Sequence, residues 1–445
     1  MAGRQLDRLI DVFRRRRPTS GTALALTTRD LSSESDREQL RSWIDHSIAG
    51  RGGEAAARRR AGDVVAAFLD LDTAGQHRFL ALLADEYGHD RHEVDTAMAE
   101  VAAATDGQRH HAEQRLRQAL RPRRSTLLRR ILGLNGGLAF TIELRESLID
   151  IRNERPELRQ LDEELRTLLN DFFDLTTLEL EHLDWDTPAS LLEKLIEYEA
   201  VHTIESWDDL KRRLGPGRRC YAFTHHSLPG EPLIFVEVAL TRGLASNITD
   251  LLDPTTERVA AASANTAIFY SISNCHPGLA GVSLGDLLIK RVATLLKAEL
   301  SGIETFATLS PIPGLRRWLA VNEPELIAEL DAVSLDDRMR SIEPWRDTLL
   351  EMTARYLLEA KRPNGAVSDP VANFHLSNGA IVERLNWLGN PTTTGWERSL
   401  GMMVNYRYDL AAIETNHDRY DAEYIVAASD AVRRLAASTT TDRSN

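Results

Sequence analysis

Residues whose types and spacing suit chemistry fall in the second half of this chain. Pro277, Gly278, Gly281 and Gly285 lie in one short loop. Before it, Thr266 to Ser273 is rich in β-branched and aromatic residues and suits a buried strand. After it, Leu287, Leu288, Val292, Leu295, Leu296 and Leu300 share one broad helical face. A strand, a glycine loop and a helix N-terminus in succession hold phosphate well, because free backbone N–H groups and the helix dipole meet the anion and glycine lets the backbone come close. Ser310 opens a Ser-Pro-Ile-Pro-Gly segment at the end of a second expected strand, Glu304 to Leu309. Its prolines restrict the backbone just where a ligand on the loop is in reach. His375 stands between apolar neighbours in Asn-Phe-His-Leu, and Tyr406 and Tyr408 flank Arg407. On a strand, the two tyrosines face one side.

Each of these residues also has a plainer use. The glycines serve equally as a tight turn. Ser310 serves as a turn former or cap, His375 as a hydrogen-bonded core histidine, and the tyrosines as core residues at a sheet edge. The loop lacks the Gly-Lys-Ser/Thr of a nucleoside-triphosphate P-loop and the spacing of the dinucleotide fingerprint. Its spacing is compatible with the pyrophosphate loop of coenzyme A-binding acyltransferase folds. Ser310 is not in a Gly-x-Ser-x-Gly elbow, which argues against a hydrolase. His110-His111 and His225-His226 are adjacent pairs, which do not converge on one metal, and no His-Glu-x-x-His is present, so no metal is expected.

The elements that must position these residues divide the chain in two. From Glu54 to Asp174 the pattern is helical with short polar breaks. Over Pro156 to Phe173, Leu158, Leu161, Leu165, Leu168, Leu169 and Phe172 form one apolar stripe behind a proline suited to a first turn. Residues 1 to about 50 are polar and broken and are expected to form a loosely held arm, with one short helix at Arg4 to Phe13. After Asp174, helices at Thr187–Tyr198 and from Ser206 precede a hairpin of Arg219–Thr224 and Leu233–Leu240. A single closing helix is expected over Tyr420 to Ala437. The expected organisation is therefore α+β, with an all-helical domain over 1–174 and a mixed-sheet catalytic domain over 175–445.

Composition narrows the function. A net charge of −13 over 445 residues argues against general nucleic-acid binding, so an anionic ligand needs a local positive site. Cys220 and Cys275 are the sole cysteines, which suits a reducing compartment. No apolar run reaches the ~20 residues that span a bilayer. The basic RQLDRLIDVFRRRR segment is followed closely by acidic DLSSESDREQL, which favours an ordinary start over a transit peptide. High Ala and Arg content suggests a bacterial cytoplasmic protein.

Taken together, YAFTHHSLPGEPLIFVEVALT, GLAGVSLGDLLIKRV, LSPIPGLRRWL, NFHLSNGAIVERLNW and GMMVNYRY resemble, in order, the malonyl-CoA decarboxylase family over roughly residues 180 to 415. The resemblance implies a helical N-terminal domain before a catalytic domain of the acetyltransferase (GNAT-like) fold. It implies decarboxylation of malonyl-CoA to acetyl-CoA with no metal or prosthetic group, coenzyme A being part of the substrate, by a homo-oligomer that is often a tetramer. It places catalytic roles on Ser310 and His375, and the coenzyme A loop on Ala280, Gly281, Val282, Ser283, Leu284, Gly285 and Asp286. Tyr408 becomes a substrate-pocket residue. Where some members carry glutamate between Val282 and Leu284, this chain carries Ser283. An acyltransferase acting on an amine or alcohol, and a non-catalytic acyl-CoA sensor, are the other readings.

Overall fold

The computed structural model describes residues 26–173, 176–332 and 342–438. The helical part contains α1 (Glu34–Ala49), α2 (Glu54–Asp70), α3 (Thr73–Glu86), α4 (Arg91–Ala103), α5 (Asp106–Ala119), α6 (Arg124–Leu132), α7 (Gly137–Ile149) and α8 (Pro156–Phe172). In α8, Pro156 occupies the first turn, and Leu158, Leu161, Leu165 and Leu169 are buried at three- and four-residue spacing. Leu168 and Phe172 complete the stripe half-buried.

The expected loose arm is corrected over residues 34–49. There α1 is capped by the Ser33 hydroxyl and by Gly50 at φ +64°, and Leu40 and Ile44 are buried. Its apolar residues are few, but Leu40, Trp43, Ile44 and Ile48 recur at helical spacing and pack into the main core. The short helix expected at Arg4 to Phe13 lies outside the described residues.

The second part is built on strands β1 (Leu178–Leu183), β2 (Arg218–His225), β3 (Pro232–Thr241), β4 (Thr266–Asn274), β5 (Thr305–Thr308), β6 (Ser310–Pro311), β7 (Ile381–Asn386) and β8 (Met403–Tyr408). They form one sheet of order β1-β2-β3-β4-β5-β8-β6, with β7 also pairing β8. Strands β1 to β4 run antiparallel in sequence, and the sequence reading missed β1. β1 is a short edge strand, LELEHL, whose buried leucines Leu178 and Leu183 fall on opposite faces and join different core clusters, so it shows no clean alternation.

β4 and β5 are parallel, joined by the crossover helix α12 (Leu284–Glu299), after α9 (Ala189–Tyr198), α10 (Trp207–Arg213) and α11 (Ile248–Leu252). Their pairing covers only Thr266–Phe269 against Thr305–Thr308. Beyond Phe269, β4 runs on to Asn274 while the neighbouring chain pairs with β8, so the parallel ladder ends and the two strands part. A parted parallel pair with a glycine loop and helix between its strands is the acetyltransferase-like arrangement the resemblance implies.

The remaining helices are α13 (Leu315–Asn322), α14 (Pro324–Ala332), α15 (Arg346–Glu359), α16 (Pro370–Ser377), α17 (Thr393–Ser399), α18 (Ile413–Glu423) and α19 (Asp430–Ala437). The single closing helix expected over Tyr420–Ala437 is broken. Tyr424 adopts φ +54°, Ala428 bridges Val382, and the Ser429 hydroxyl caps a fresh start at Asp430.

One apolar core runs through both parts, from Ile44 and Phe140 to Leu284 and Leu376. Gly278 sits at their junction, where an added Cβ would overlap the Ile142 carbonyl oxygen. Gly278→Ala is expected to lower stability by about 1–3 kcal/mol through this overpacking, read as a fall in thermal midpoint. An unchanged midpoint would show that the junction yields.

Candidate functional site

Ser310 is the first residue of β6 and pairs with Val404 of β8. Thr308, two residues earlier, lies on the same side of the extended chain, and the Ser310 hydroxyl donates to Thr308 Oγ1 at 2.8 Å. Thr308 Oγ1 also accepts the Tyr406 backbone N–H at 3.2 Å. His375 is carried by α16, whose start is fixed by Asp369. The Asp369 carboxylate accepts the backbone N–H groups of Val371 and Ala372 at 2.9 and 3.0 Å, and that of Gly314 at 3.1 Å. One buried carboxylate thereby ties the end of the Ser-Pro-Ile-Pro-Gly turn to the helix that bears the histidine. Burial pushes this carboxyl upward, against the pull of its three N–H donors. Gly314 has no room for a side chain, because a Cβ would overlap the Tyr356 hydroxyl.

The imidazole is 3% exposed. Its Nε2 lies 3.2 Å from Ser310 Oγ and its Nδ1 2.7 Å from the Tyr408 hydroxyl. The Tyr406 ring stacks on it at 4.5 Å. Both tyrosines therefore face His375 from β8, as alternation on a strand predicts. With the serine proton engaged by Thr308, the consistent arrangement has Nε2–H donating to Ser310 Oγ and the Tyr408 hydroxyl donating to Nδ1. Burial pushes His375 down to about 3, so the ring is neutral at physiological pH. Tyr408 is held well above the usual phenol range by burial and by the charge of Asp286.

The glycine loop begins with a short turn at Pro277–Leu279 and passes through Gly281 at φ +74°, a left-handed conformation that favours glycine. Ala280, Gly281 and Ser283 are exposed, while the Val282 and Leu284 side chains are buried, so those two offer a ligand only their backbone. Gly285 lies under the ring of Phe374, where a Cβ would come within 2.8 Å, so the loop and the His375 helix are in direct contact. Asp286 pairs with Lys290 at 3.0 Å. Ser283 makes no side-chain cap, and the carboxylate one helical turn on is Asp286.

The loop is also held from the helical part. The buried Arg145 donates to the Gly278 carbonyl at 2.7 Å and to Asp162 at 2.8 Å. Asn170 Oδ1 accepts the Ser283 N–H at 2.9 Å.

Thus Ser310, His375 and Tyr408 form one bonded chain, with the loop alongside. Thr308 and Asp369 were missed by the sequence reading. A signal existed for each: Thr308 precedes Ser310 by the strand period, and Asp369-Pro370 is a helix-start pattern. Nothing local marked Arg145 or Asn170. The adjacent histidines stay apart from this site, His225 and His226 stacking on each other at 4.3 Å. Among the described residues no group of three or more His, Cys, Asp or Glu side chains is placed to hold a metal ion. Nor does any described helix have the length and apolarity to cross a membrane.

The parted strands, the glycine loop at a helix N-terminus and the polar chain beside them define a GNAT-like protein. A sequence model of the malonyl-CoA decarboxylase C-terminal domain matches residues 176–445, and one of the N-terminal domain matches 87–173. The mitochondrial malonyl-CoA decarboxylase of Anser anser anser is 36% identical over 419 residues, 84% of this chain and 83% of the relative. The crystal structure of malonyl-CoA decarboxylase from Rhodopseudomonas palustris is 40% identical with a TM-score of 0.78, covering 89% of this chain and 99% of that one. That from Agrobacterium vitis is 37% identical with a TM-score of 0.80, covering 90% and 100%. The chain belongs to the malonyl-CoA decarboxylase family, a family of carboxy-lyases.

Two outcomes follow from the geometry. Thr308→Val frees the Ser310 hydroxyl to donate to Nε2 and reverses the tautomer, so kcat is expected to fall by about tenfold or more with KM little changed, and Thr308→Ser should restore it. Equal loss in both variants would make Thr308 a packing residue. For stability, the folded His375 value lies below the unfolded one of about 6.5. Below that pH the unfolded chain binds the extra proton, so stability falls as pH drops toward the folded value. His375→Asn is therefore expected to lose about 2 kcal/mol less than the parent chain between about pH 7 and about pH 5, measured by denaturant unfolding at each pH. Parallel curves would show that the histidine takes up its proton in the fold as it does in the unfolded chain.

Proposed function

We propose that this chain decarboxylates malonyl-CoA to acetyl-CoA and CO2 through a thioester enolate, without a metal or prosthetic group. The observation that carries the reading is the buried Ser310–His375 contact at 3.2 Å beside the parted strands, in a chain of this family. Loss of CO2 leaves negative charge on the thioester carbonyl, so the site must offer donors to that oxygen and an acid to the new carbanion. Beyond Phe269, β4 is no longer paired with β5 and supplies backbone N–H to the thioester oxygen. The loop Ala280–Asp286 takes the pyrophosphate.

The Ser310 hydroxyl orients the malonyl carboxylate. The neutral imidazole meets that anion, and an opposite charge at close range favours its protonated form, so substrate enters with uptake of one proton. The C–C bond breaks, its electron pair moves into the enolate, and CO2 leaves. The His375 imidazolium returns its proton to the carbon, giving acetyl-CoA and the neutral ring. One proton is consumed per turnover, as the stoichiometry demands. Because Nε2 already carries a proton in the free site, the added one goes to Nδ1, where the Tyr408 hydroxyl turns from donor to acceptor, and the Nε2 proton is the one given to carbon. The same reading takes the protein as a cytoplasmic homotetramer, a state supported by the family resemblance and checked by light scattering.

Purified protein with malonyl-CoA and a metal chelator should release CO2 and acetyl-CoA. A bound but unconverted substrate would favour an acyl-CoA sensor, and transfer to an added amine an acyltransferase. His375→Asn is expected to abolish turnover while coenzyme A still binds, and Ser310→Ala to lower kcat by about a hundredfold or more. Near-normal turnover in His375→Asn would sink the assignment, and a Ser310→Ala effect confined to KM would reduce the serine to a binding group.

A further inference from the structure

The glycine loop does not face solvent alone, because α8 of the helical part runs along it. Asn170 on α8 accepts the Ser283 N–H, and one turn earlier on that helix Arg166 reaches the loop apex. A Cβ on Gly281 would lie 3.5 Å from Arg166 Cδ and 4.0 Å from its Nη1. Gly281 and Arg166 are both exposed. The placement is firm, since Arg145 joins Gly278 of the loop to Asp162 of α8 in one bonded bridge.

Several charged groups near the apex are already paired. Lys290 is held by Asp286 at 3.0 Å, and the two oxygens of Asp162 are taken by Arg145 and Arg152 at 2.8 Å each. No hydrogen bond or ion pair engages Arg166 among the described residues. Arg166 also borders a surface depression shared with Arg152, Arg159, Asp162 and Glu163. With a net charge of −13, the chain as a whole repels a polyanionic substrate and needs a local cation where the phosphates settle. A guanidinium, with its forked donors, suits phosphate better than an ammonium does.

We propose that Arg166 recognises a phosphate of the coenzyme A moiety, so that the helical domain supplies part of the substrate site. The inference rests on the loop's reading as a coenzyme A cradle. The ligand group is a phosphate monoester or diphosphate carried on a nucleotide, either the 3′-phosphate or the pyrophosphate of coenzyme A.

The test compares the full-length chain with Arg166→Glu and Arg166→Lys on malonyl-CoA, malonyl-dephospho-CoA and malonyl-pantetheine, alongside calorimetric binding of coenzyme A and pantetheine. Arg166→Glu should raise KM for malonyl-CoA and Kd for coenzyme A about tenfold or more, with kcat within about twofold, and Arg166→Lys should recover part of the loss. Kinetics on malonyl-pantetheine and the binding of pantetheine should not change. A defect that disappears with malonyl-dephospho-CoA assigns the 3′-phosphate, and one that persists assigns the pyrophosphate. Equal defects with and without the nucleotide, or no defect in either, would overturn the proposal. The two readings fail separately, because coenzyme A binding reports on Arg166 even if wild-type protein releases no CO2.

Discussion

A neutral imidazole buried with both of its nitrogens bonded is the constraint on which the site's construction depends. An imidazole removed from water loses hydrogen bonds that the protein must replace on both edges of the ring. Here the replacements come from separate parts of the chain, Ser310 on β6 and Tyr408 on β8, with the ring itself on α16. All three elements must stay in register. Asp369 provides one restraint by gripping Gly314 and the start of α16 together. Asn405 provides another, donating to the Thr308 carbonyl at 2.7 Å and accepting from Asn386 at 2.9 Å and Arg384 at 3.1 Å. These bonds lock β7, β8 and β5 beneath the ring, so the polar chain is rigid because its surroundings are satisfied as well.

The parting of β4 and β5 sets the second requirement. An unpaired stretch inside a sheet leaves backbone donors and acceptors unused, which a protein tolerates where something else meets them. Ser271 and Ser273, beyond the paired stretch, show how the other face of β4 is stabilised. Both hydroxyls donate to the buried Glu199, at 2.7 and 3.2 Å. On the side of α12 the loop is pressed against the helical part through Gly278 and Ile142, Arg145 and Asn170. The helical domain therefore acts on the catalytic domain at its loop, through the same core that stabilises both.

The loop, the crossover helix, Ser310 and the tyrosine pair could be read from sequence because each depends on local signals: a change of hydrophobic period, glycines at a helix start, prolines after a strand, alternation on a strand. His375 was legible only as a histidine among apolar neighbours. Its bonds to Ser310 and Tyr408 are long-range, and the family resemblance rather than the pattern joined them. Thr308 looked like any strand threonine until the strand was placed against β8. Asp369 had a helix-start signature but no sign that Gly314 would share it. α1 escaped notice because a surface helix buries one narrow face, which leaves few apolar residues to mark the period, and β1 because its buried Leu178 and Leu183 fall on opposite faces and break the alternation. Arg166 was one arginine among many, and only the docking of α8 on the loop gives it a distinct position.

The depressed histidine and the raised tyrosine belong to one electrostatic argument. In the free protein the site disfavours every charged form: imidazolium at His375, phenolate at Tyr408. Under the proposed reaction, a malonyl carboxylate enters such a site only by recruiting a compensating proton, and the imidazole is the group within reach of it. That pairing is favourable while the carboxylate lasts. Once CO2 departs, the anion moves to the enolate, and the imidazolium is left in surroundings that favour giving its proton away. The same burial that makes His375 a poor base in the free site thus makes its imidazolium an effective acid at the moment carbon carries the charge. Tyr408 cannot compete for that role, because its own proton is held more tightly still.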